Sequence, residues 1–333
     1  MKLAALLTLL ALPLHAQTLP GFDRFDLLAA HRARPVAASV WYPAGSPSYR
    51  APLGDGPIFA PSMVLMAPAV AEGRHPLILL SHGSGGNAAG LGWLAEGLVA
   101  KGAIVLAVDH PGSTSGDSSP RRSLDLDARA RDLDAALQYV LADPDFAPHI
   151  DAKRIAAIGF SLGGTTALGL AGVRFDGNVQ AQNCATGPEA ADCGFFTRAR
   201  ADFAAAKGFG ADTSLPEVAS AVAIDPGFGG SATPASLAAV SIPVHLINLG
   251  TADRLAAVDV SPTGNNLAAR LPGASYSTFT PATHFSFLAP CKPGAEALLA
   301  EEGEDPICTD PKGADRIKLH ADLIADISQA LHL

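Results

Sequence analysis

The sequence predicts an α/β domain built on a mostly parallel central sheet with helices on both faces. Three observations carry that reading. Short apolar runs rich in β-branched residues recur along the chain, segments of helical periodicity separate most of them, and the central runs lack inside-outside alternation. Strands that alternate with helices require crossover connections and therefore parallel pairing.

Taken in order, strands are expected over 36–42, 76–81, 103–109, 154–160, 220–225, 242–249 and 275–280, with helices over 88–101, 123–142, 162–173, 264–270 and 314–331. Leu77-Ile78-Leu79-Leu80 and Ile104-Val105-Leu106-Ala107-Val108 are apolar throughout, as strands covered on both faces should be. These runs are too short for buried helices and end at Gly, Ser or Asp. Residues 43–75 are rich in Pro and Gly and hold no clear element beyond 63–66. The stretch 172–218 breaks the rhythm, with Cys184, Cys193 and a helical patch near 196–207. A loop-rich insertion of that length is expected to serve a function, and its place in the chain suggests a small lid.

The 333 residues suffice for one large domain, expected over 17–333. Net charge is −9 and no basic cluster exceeds Arg121-Arg122, so nucleic acid is not an expected partner. The first sixteen residues, MKLAALLTLLALPLHA, read as a signal peptide cleaved after Ala16. Their apolar run of about a dozen residues is too short for a stable anchor across roughly 30 Å of hydrocarbon. The expected location is therefore the periplasm or the exterior. In an exported protein four cysteines imply two disulfides, and the local pairs Cys184–Cys193 and Cys291–Cys308 are favoured. None sits in a CxxC or His-rich setting, so no metal site is expected.

Gly159-Phe160-Ser161-Leu162-Gly163 fits G-x-S-x-G, and the context matters more than the pattern. An expected strand precedes it and an expected helix follows. A serine hydroxyl is a weak nucleophile, so it must stand exposed on a sharp turn within reach of a base. Ser81-His82-Gly83-Ser84-Gly85-Gly86-Asn87 follows an earlier strand and can supply backbone donors to a developing oxyanion. The two donors are expected to be the N–H groups of Ser84 and Leu162. A phosphate-binding role fits poorly, because no Lys follows as a P-loop needs.

The base should follow nucleophile and acid in the chain. Of ten histidines, six precede Ser161, His245 lies within a strand, and His320 and His332 fall on or near the last helix. His284, after the strand at 275–280, is the good fit. Two carboxylates can orient it: Asp253 in the Gly250-Thr251-Ala252-Asp253 loop, the commoner position and the favoured one, and Asp225 at the preceding strand end. Asp109-His110, at another strand end, reads as pocket lining or as loop structure. The whole constellation is that of an α/β-hydrolase fold with a serine nucleophile.

Val40-Trp41-Tyr42-Pro43, Ser81-His82-Gly83-Ser84-Gly85-Gly86, Val108-Asp109-His110-Pro111-Gly112, Gly159-Phe160-Ser161-Leu162-Gly163-Gly164 and Gly250-Thr251-Ala252-Asp253 occur in that order. Together they resemble the bacterial "predicted dienelactone hydrolase" proteins, relatives of platelet-activating-factor acetylhydrolase and, more distantly, of cutinase-like polyester hydrolases. The resemblance covers most of the mature chain and implies carboxylic-ester hydrolysis without a cofactor. Small or short-chain esters are the expected substrates, with polyester or phospholipid acyl esters as the alternative. Two departures matter. True dienelactone hydrolases use cysteine where Ser161 stands. The acid follows the strand ending at Asp225 in the acetylhydrolases, but the next strand, matching Asp253, in the polyester hydrolases. The same residues would also serve amide or thioester cleavage, and a non-catalytic binding protein on a hydrolase scaffold is the rival from another class.

Overall fold

The computed structural model describes residues 19–187, 189–251 and 254–333. Its strands are β1 (Gly21–Leu27), β2 (Val36–Tyr42), β3 (Tyr49–Leu53), β4 (Ser62–Met66), β5 (His75–Ser81), β6 (Ile104–Asp109), β7 (Ser113–Thr114), β8 (Asp117–Ser118), β9 (Ile150–Phe160), β10 (Val218–Ile224), β11 (Val244–Leu249) and β12 (Ser275–Phe279). Ten of them form one sheet in the order β12-β11-β10-β9-β5-β6-β2-β1-β4-β3, while β7 and β8 form a small ribbon. From β6 to β12 every pairing in that sheet is parallel, and the antiparallel contacts lie at the β6-β2-β1 and β4-β3 steps. The chain is therefore the α/β protein with a mostly parallel sheet that the apolar runs predict.

The helices are α1 (Gly92–Val99), α2 (Pro120–Ser123), α3 (Leu126–Ala142), α4 (Leu162–Leu170), α5 (Gly177–Thr186), α6 (Gly194–Arg198), α7 (Pro234–Ala239), α8 (Leu267–Arg270), α9 (Ala295–Glu302) and α10 (Arg316–Ala330). Helices α3 and α4 cover one face of the sheet, where Leu133, Leu137 and Leu168 meet Leu77, Leu79 and Leu106. On the other face Leu94 and Leu98 of α1 and Leu323 and Ile327 of α10 meet Ile78, Leu80 and Val105. Successive residues of β5 point to opposite faces, and both faces are apolar cores. Each such Leu or Ile contributes roughly 1.5–3 kcal/mol of burial. Among the described residues no helix is long and apolar enough to cross a membrane.

Several elements depart from expectation. Strand β1 was not legible because three charged residues, Asp23, Arg24 and Asp26, break the apolar pattern of a strand near the sheet margin. Strand β3 pairs with β4 in the Pro- and Gly-rich stretch, where only 63–66 carries a strand signal. In 172–218 the helices are α5 and α6 rather than one patch near 196–207. The cysteines pair locally, Cys184 with Cys193 and Cys291 with Cys308, with Cα separations of 5.5 and 5.9 Å. The expected leader, 1–16, lies outside the described residues.

Parallel pairing brings the C-terminal ends of β5, β9, β10 and β11 to one edge. Ser81-His82, Phe160-Ser161, Ile224-Asp225 and Leu249-Gly250 thus converge there, which is where open α/β sheets place their sites.

Candidate active site

Ser161 sits between β9 and α4 with φ 56° and ψ −122°, a strained conformation for a residue with a side chain. Its N–H donates to the Ile224 carbonyl at 2.9 Å, and its carbonyl accepts from Thr165 N–H at 3.1 Å, so both sides of the turn are anchored. The flanking glycines are required by close approach. A Cβ on Gly159 would lie 1.9 Å from the Gly163 carbonyl oxygen, and one on Gly163 would lie 1.9 Å from the Ser81 carbonyl oxygen. The second clash shows how tightly the start of α4 abuts the end of β5.

His284 occupies the first position of a short 3-10 turn, His284–Phe287, after β12. Thr283 and Ser286 close this turn with a capping box. Ser286 Oγ also donates to Asp310 at 2.6 Å, and Asp310 accepts from Arg316 Nε at 2.9 Å. The imidazole stacks on Phe160 with ring centroids 4.5 Å apart. His284 Nε2 is 3.2 Å from Ser161 Oγ, and Nδ1 is 2.9 Å from Asp225 Oδ2. An ionised carboxylate only accepts, so the proton on that side belongs to Nδ1, leaving the Nε2 lone pair for the Ser161 hydroxyl.

Asp225 is fully buried at the end of β10 and, like Ser161, adopts a positive φ of 44°. Its Oδ1 accepts from Asn248 Nδ2 at 2.8 Å and from Leu249 N–H at 2.9 Å. These two donors satisfy one oxygen and turn the other toward His284. Asp253, the acid favoured from the sequence, lies outside the described residues; Asp225, the alternative acid, is the carboxylate that meets His284 Nδ1 among the described residues. A further sequence signal for Asp225 was Asn248, a polar residue inside the otherwise apolar end of β11.

The loop after β5 is held by rings that carry no charge. His82 Nδ1 donates to the Gly83 carbonyl at 2.7 Å, and His82 Nε2 accepts the His110 N–H at 3.1 Å. Gly86 N–H also donates to the Gly83 carbonyl. In a planar trans peptide the N–H opposes the C=O, so anchoring Gly83 C=O directs Ser84 N–H the other way. Burial pushes His82 well below the ordinary histidine range, with neighbouring His110 and Arg129 adding to the effect. His110 is buried rather than pocket-lining; burial, then Arg129, pushes its pKa to about 3. Leu162 is the first residue of α4, where a backbone N–H has no partner within the helix.

A cavity of about 580 Å³ opens onto Ser161 and His284. Ile58, Phe59, Phe285, Leu288 and Ile307 give it apolar walls, and Asn87 and Ser115 give it polar atoms. These walls come from the β3–β4 connection and from the chain after His284, which the Cys291–Cys308 disulfide clips together. Phe59 and Cys291 form an isolated bridge between them. The described lining takes nothing from 172–218. That segment instead buries Phe175, Phe203 and Phe209 beside Phe228 in the core. Among the described residues, no group of His, Cys, Asp and Glu side chains is arranged to hold a metal ion.

Comparison with known proteins agrees with this fold. Cutinase est2 of Thermobifida alba is 39% identical over 101 residues, which are 30% of this chain and 31% of that one. The cutinase cut1 of Thermobifida fusca is 36% identical over 101 residues, covering 30% of this chain and 29% of its own. The match thus spans under a third of the length of these cutinases. Among solved structures, a ferulic acid esterase from Streptomyces cinnamoneus superposes with a TM-score of 0.58 at 17% identity, over 96% of this chain and 91% of that one. The esterase Est22 gives 0.50 at 12% identity, over 93% and 80%. Residues 77–297 match the alpha/beta hydrolase family, and with a mostly parallel sheet, a strained serine elbow and a histidine loop at the same edge, the chain belongs to that family.

Proposed function

We propose that this chain is an exported serine ester hydrolase that works through an acyl-enzyme. The observation that carries the reading is the hydrogen-bonded relay from Ser161 Oγ through His284 to a buried Asp225, mounted on a strained elbow. Ser161 Oγ attacks the acyl carbon as His284 Nε2 takes its proton. The Ser84 and Leu162 N–H groups receive the oxyanion. His284 then gives the proton to the departing alcohol, and water, deprotonated by the same nitrogen, releases the acid through a second tetrahedral intermediate. The Asp225 carboxylate stabilises the imidazolium that forms in each half. General-base transfer contributes about 10²–10⁴ in rate and each oxyanion donor about 10²–10³.

The cavity volume falls within the range of roughly 300–1,000 Å³ usual for small-molecule sites, and its apolar walls suit a short acyl chain or a small aromatic ring. Polymeric esters form the second reading, favoured by the likeness to cutinases over 101 residues. Export is supported by the apolar leader sequence and by two disulfides, which persist in oxidising compartments.

Labelling with a fluorophosphonate tests the mechanism. The folded protein should take up one adduct at Ser161, and Ser161→Ala should take up none. Failure of the folded wild type to label would defeat the enzyme reading and favour a binding protein. A series of p-nitrophenyl esters of rising acyl length, run beside a polyester film, separates the substrate readings. An N-terminus at Gln17 on protein recovered from the periplasm or medium would support export.

A further inference from the structure

Arg129 is only 1% exposed, although it lies on α3 and touches no atom of the relay. Burying a guanidinium is costly unless its donors are met, and no carboxylate touches this one among the described residues. Among the described residues, its guanidinium donates instead to groups around the proposed oxyanion site. Nε donates to Thr166 Oγ1 at 2.9 Å, Nη1 to Ser113 Oγ at 2.9 Å, and Nη2 to Ser81 Oγ at 3.0 Å and to the His82 carbonyl.

These acceptors belong to the two halves of the site. The His82 carbonyl opens the loop that carries Ser84, and Ser113 holds the same loop by accepting Gly85 N–H on its carbonyl at 2.9 Å. Thr166 belongs to the other half, because its hydroxyl donates to the Leu162 carbonyl at 3.0 Å. One rigid fork therefore spans the loop bearing one donor and the helix turn bearing the other. A lysine, with a single ammonium on a flexible stem, cannot reproduce that span.

The chain of donors behind it has one consistent direction. Asp132 accepts from His110 Nδ1 at 2.9 Å, from His31 Nε2 at 2.8 Å and from Arg32 Nε at 2.7 Å. His110 Nε2 then accepts the Ser81 hydroxyl at 2.9 Å, which leaves Ser81 Oγ a lone pair for Arg129. Asp132 is thus a buried countercharge one helical turn from Arg129, without direct contact.

We propose that Arg129 is a positioning residue that holds the Ser84 and Leu162 N–H groups at the separation a tetrahedral oxyanion requires. The proposal rests on the serine-hydrolase reading above. It predicts that loss of the fork weakens the transition state while leaving ground-state substrate binding in place. A misplacement of about 1 Å costs on the order of 10² in rate, and loss of one oxyanion donor costs about 10²–10³.

The test compares full-length wild type, Arg129→Lys, Thr166→Val and Ser113→Ala with p-nitrophenyl butyrate and with phenylboronic acid, whose serine adduct is a tetrahedral anion. Arg129→Lys should lower kcat by about 10²-fold with KM within about twofold, and should weaken boronate inhibition by a similar factor. Thr166→Val, which cuts one arm and keeps the side-chain shape, should show the same split at about tenfold. A purely structural role would not make kcat and boronate affinity fall together at constant KM in folded protein. If folded variants keep wild-type kcat, or lose kcat with boronate affinity unchanged, the proposal is overturned. If Arg129→Lys does not fold, the Thr166 and Ser113 variants decide by the same criteria. Wild type that neither cleaves the ester nor labels with fluorophosphonate would instead defeat the underlying reading.

Discussion

Replacing Asp225 by Asn is the most informative single change, because its consequence follows from three hydrogen bonds. Oδ1 accepts from Leu249 N–H and from Asn248 Nδ2, and neither donor can serve an amide NH₂ group. In the Asp225→Asn variant the side-chain amide oxygen must therefore take the Oδ1 position, placing its NH₂ against His284 Nδ1. That nitrogen then has to accept, so the imidazole proton moves to Nε2 and the lone pair facing Ser161 is lost. The ring keeps its place in the wrong tautomer. In a serine protease the equivalent carboxylate-to-amide change lowers kcat about 10⁴-fold. At about 1.36 kcal/mol per decade that is roughly 5.5 kcal/mol of lost transition-state stabilisation. Stability should fall by only about 1 kcal/mol, since the buried donors keep their acceptor. The assay is kcat for p-nitrophenyl butyrate, with Asp253→Asn as the parallel variant and a urea midpoint for each. A drop of several orders of magnitude in Asp253→Asn, with Asp225→Asn near wild type, would refute the assignment.

Acid sensitivity should follow from buried neutral histidines. Burial pushes His110 to about 3 and His320 to about 4, so both stay neutral when folded while an unfolded chain takes up their protons near pH 6.5. Folded pKa values below unfolded ones mean that stability falls as pH drops from about 6.5 toward 4, by up to about 1.4 kcal/mol per pH unit for each group. Comparing melting temperatures across that window for wild type and His320→Gln should show a shallower slope in the variant, and equal slopes would contradict the argument. Replacing Cys291 and Cys308 together by Ala opens a loop of sequence separation 17 and should cost about 3 kcal/mol, read as a lower urea midpoint. Because those residues clip the cavity wall, KM should rise while kcat changes little; an unchanged KM would detach the disulfide from substrate binding. Gly163→Ala should abolish activity and cost several kcal/mol, since its Cβ would meet the Ser81 carbonyl oxygen at 1.9 Å. A folded, active variant would show that α4 approaches β5 more loosely than that contact implies.

What could be read from the sequence was whatever is decided locally. The runs of β5 and β6 are apolar throughout because helices cover both faces, so they announce themselves without knowledge of neighbours. The elbow is equally local: strand, glycine turn and helix lie within a few residues of Ser161, and the glycines are demanded by contacts of 1.9 Å. His284 was singled out by chain order together with its place after an expected strand, since His245, His320 and His332 also follow Ser161. The cavity walls were harder, because Ile58 and Ile307 are distant in sequence and meet only through a disulfide-clipped return of the chain.

The acid was harder for a deeper reason. Asp225 and Asp253 both follow strands that pair in parallel in the same sheet, so position in the chain does not separate them. On the relay proposed above, the support for Asp225 comes from Asn248, whose amide bonds Asp225 Oδ1 while also donating to the Val258 carbonyl at 2.8 Å. Its own oxygen accepts from Val260 N–H at 3.1 Å. A single buried amide thus ties the strand end, the following loop and the carboxylate together, and it does so through tertiary contacts that leave no periodic trace. Arg129 hides in the same way. In Leu-Asp-Ala-Arg-Ala-Arg-Asp it looks like one more surface charge on an amphipathic helix, yet Arg131, two residues on, pairs with Asp127 at the surface while Arg129 points into the core. Helical phase decides between them, and here it places a cation beneath the oxyanion loop, so the residues that tune this site are those whose composition most resembles solvent-facing surface.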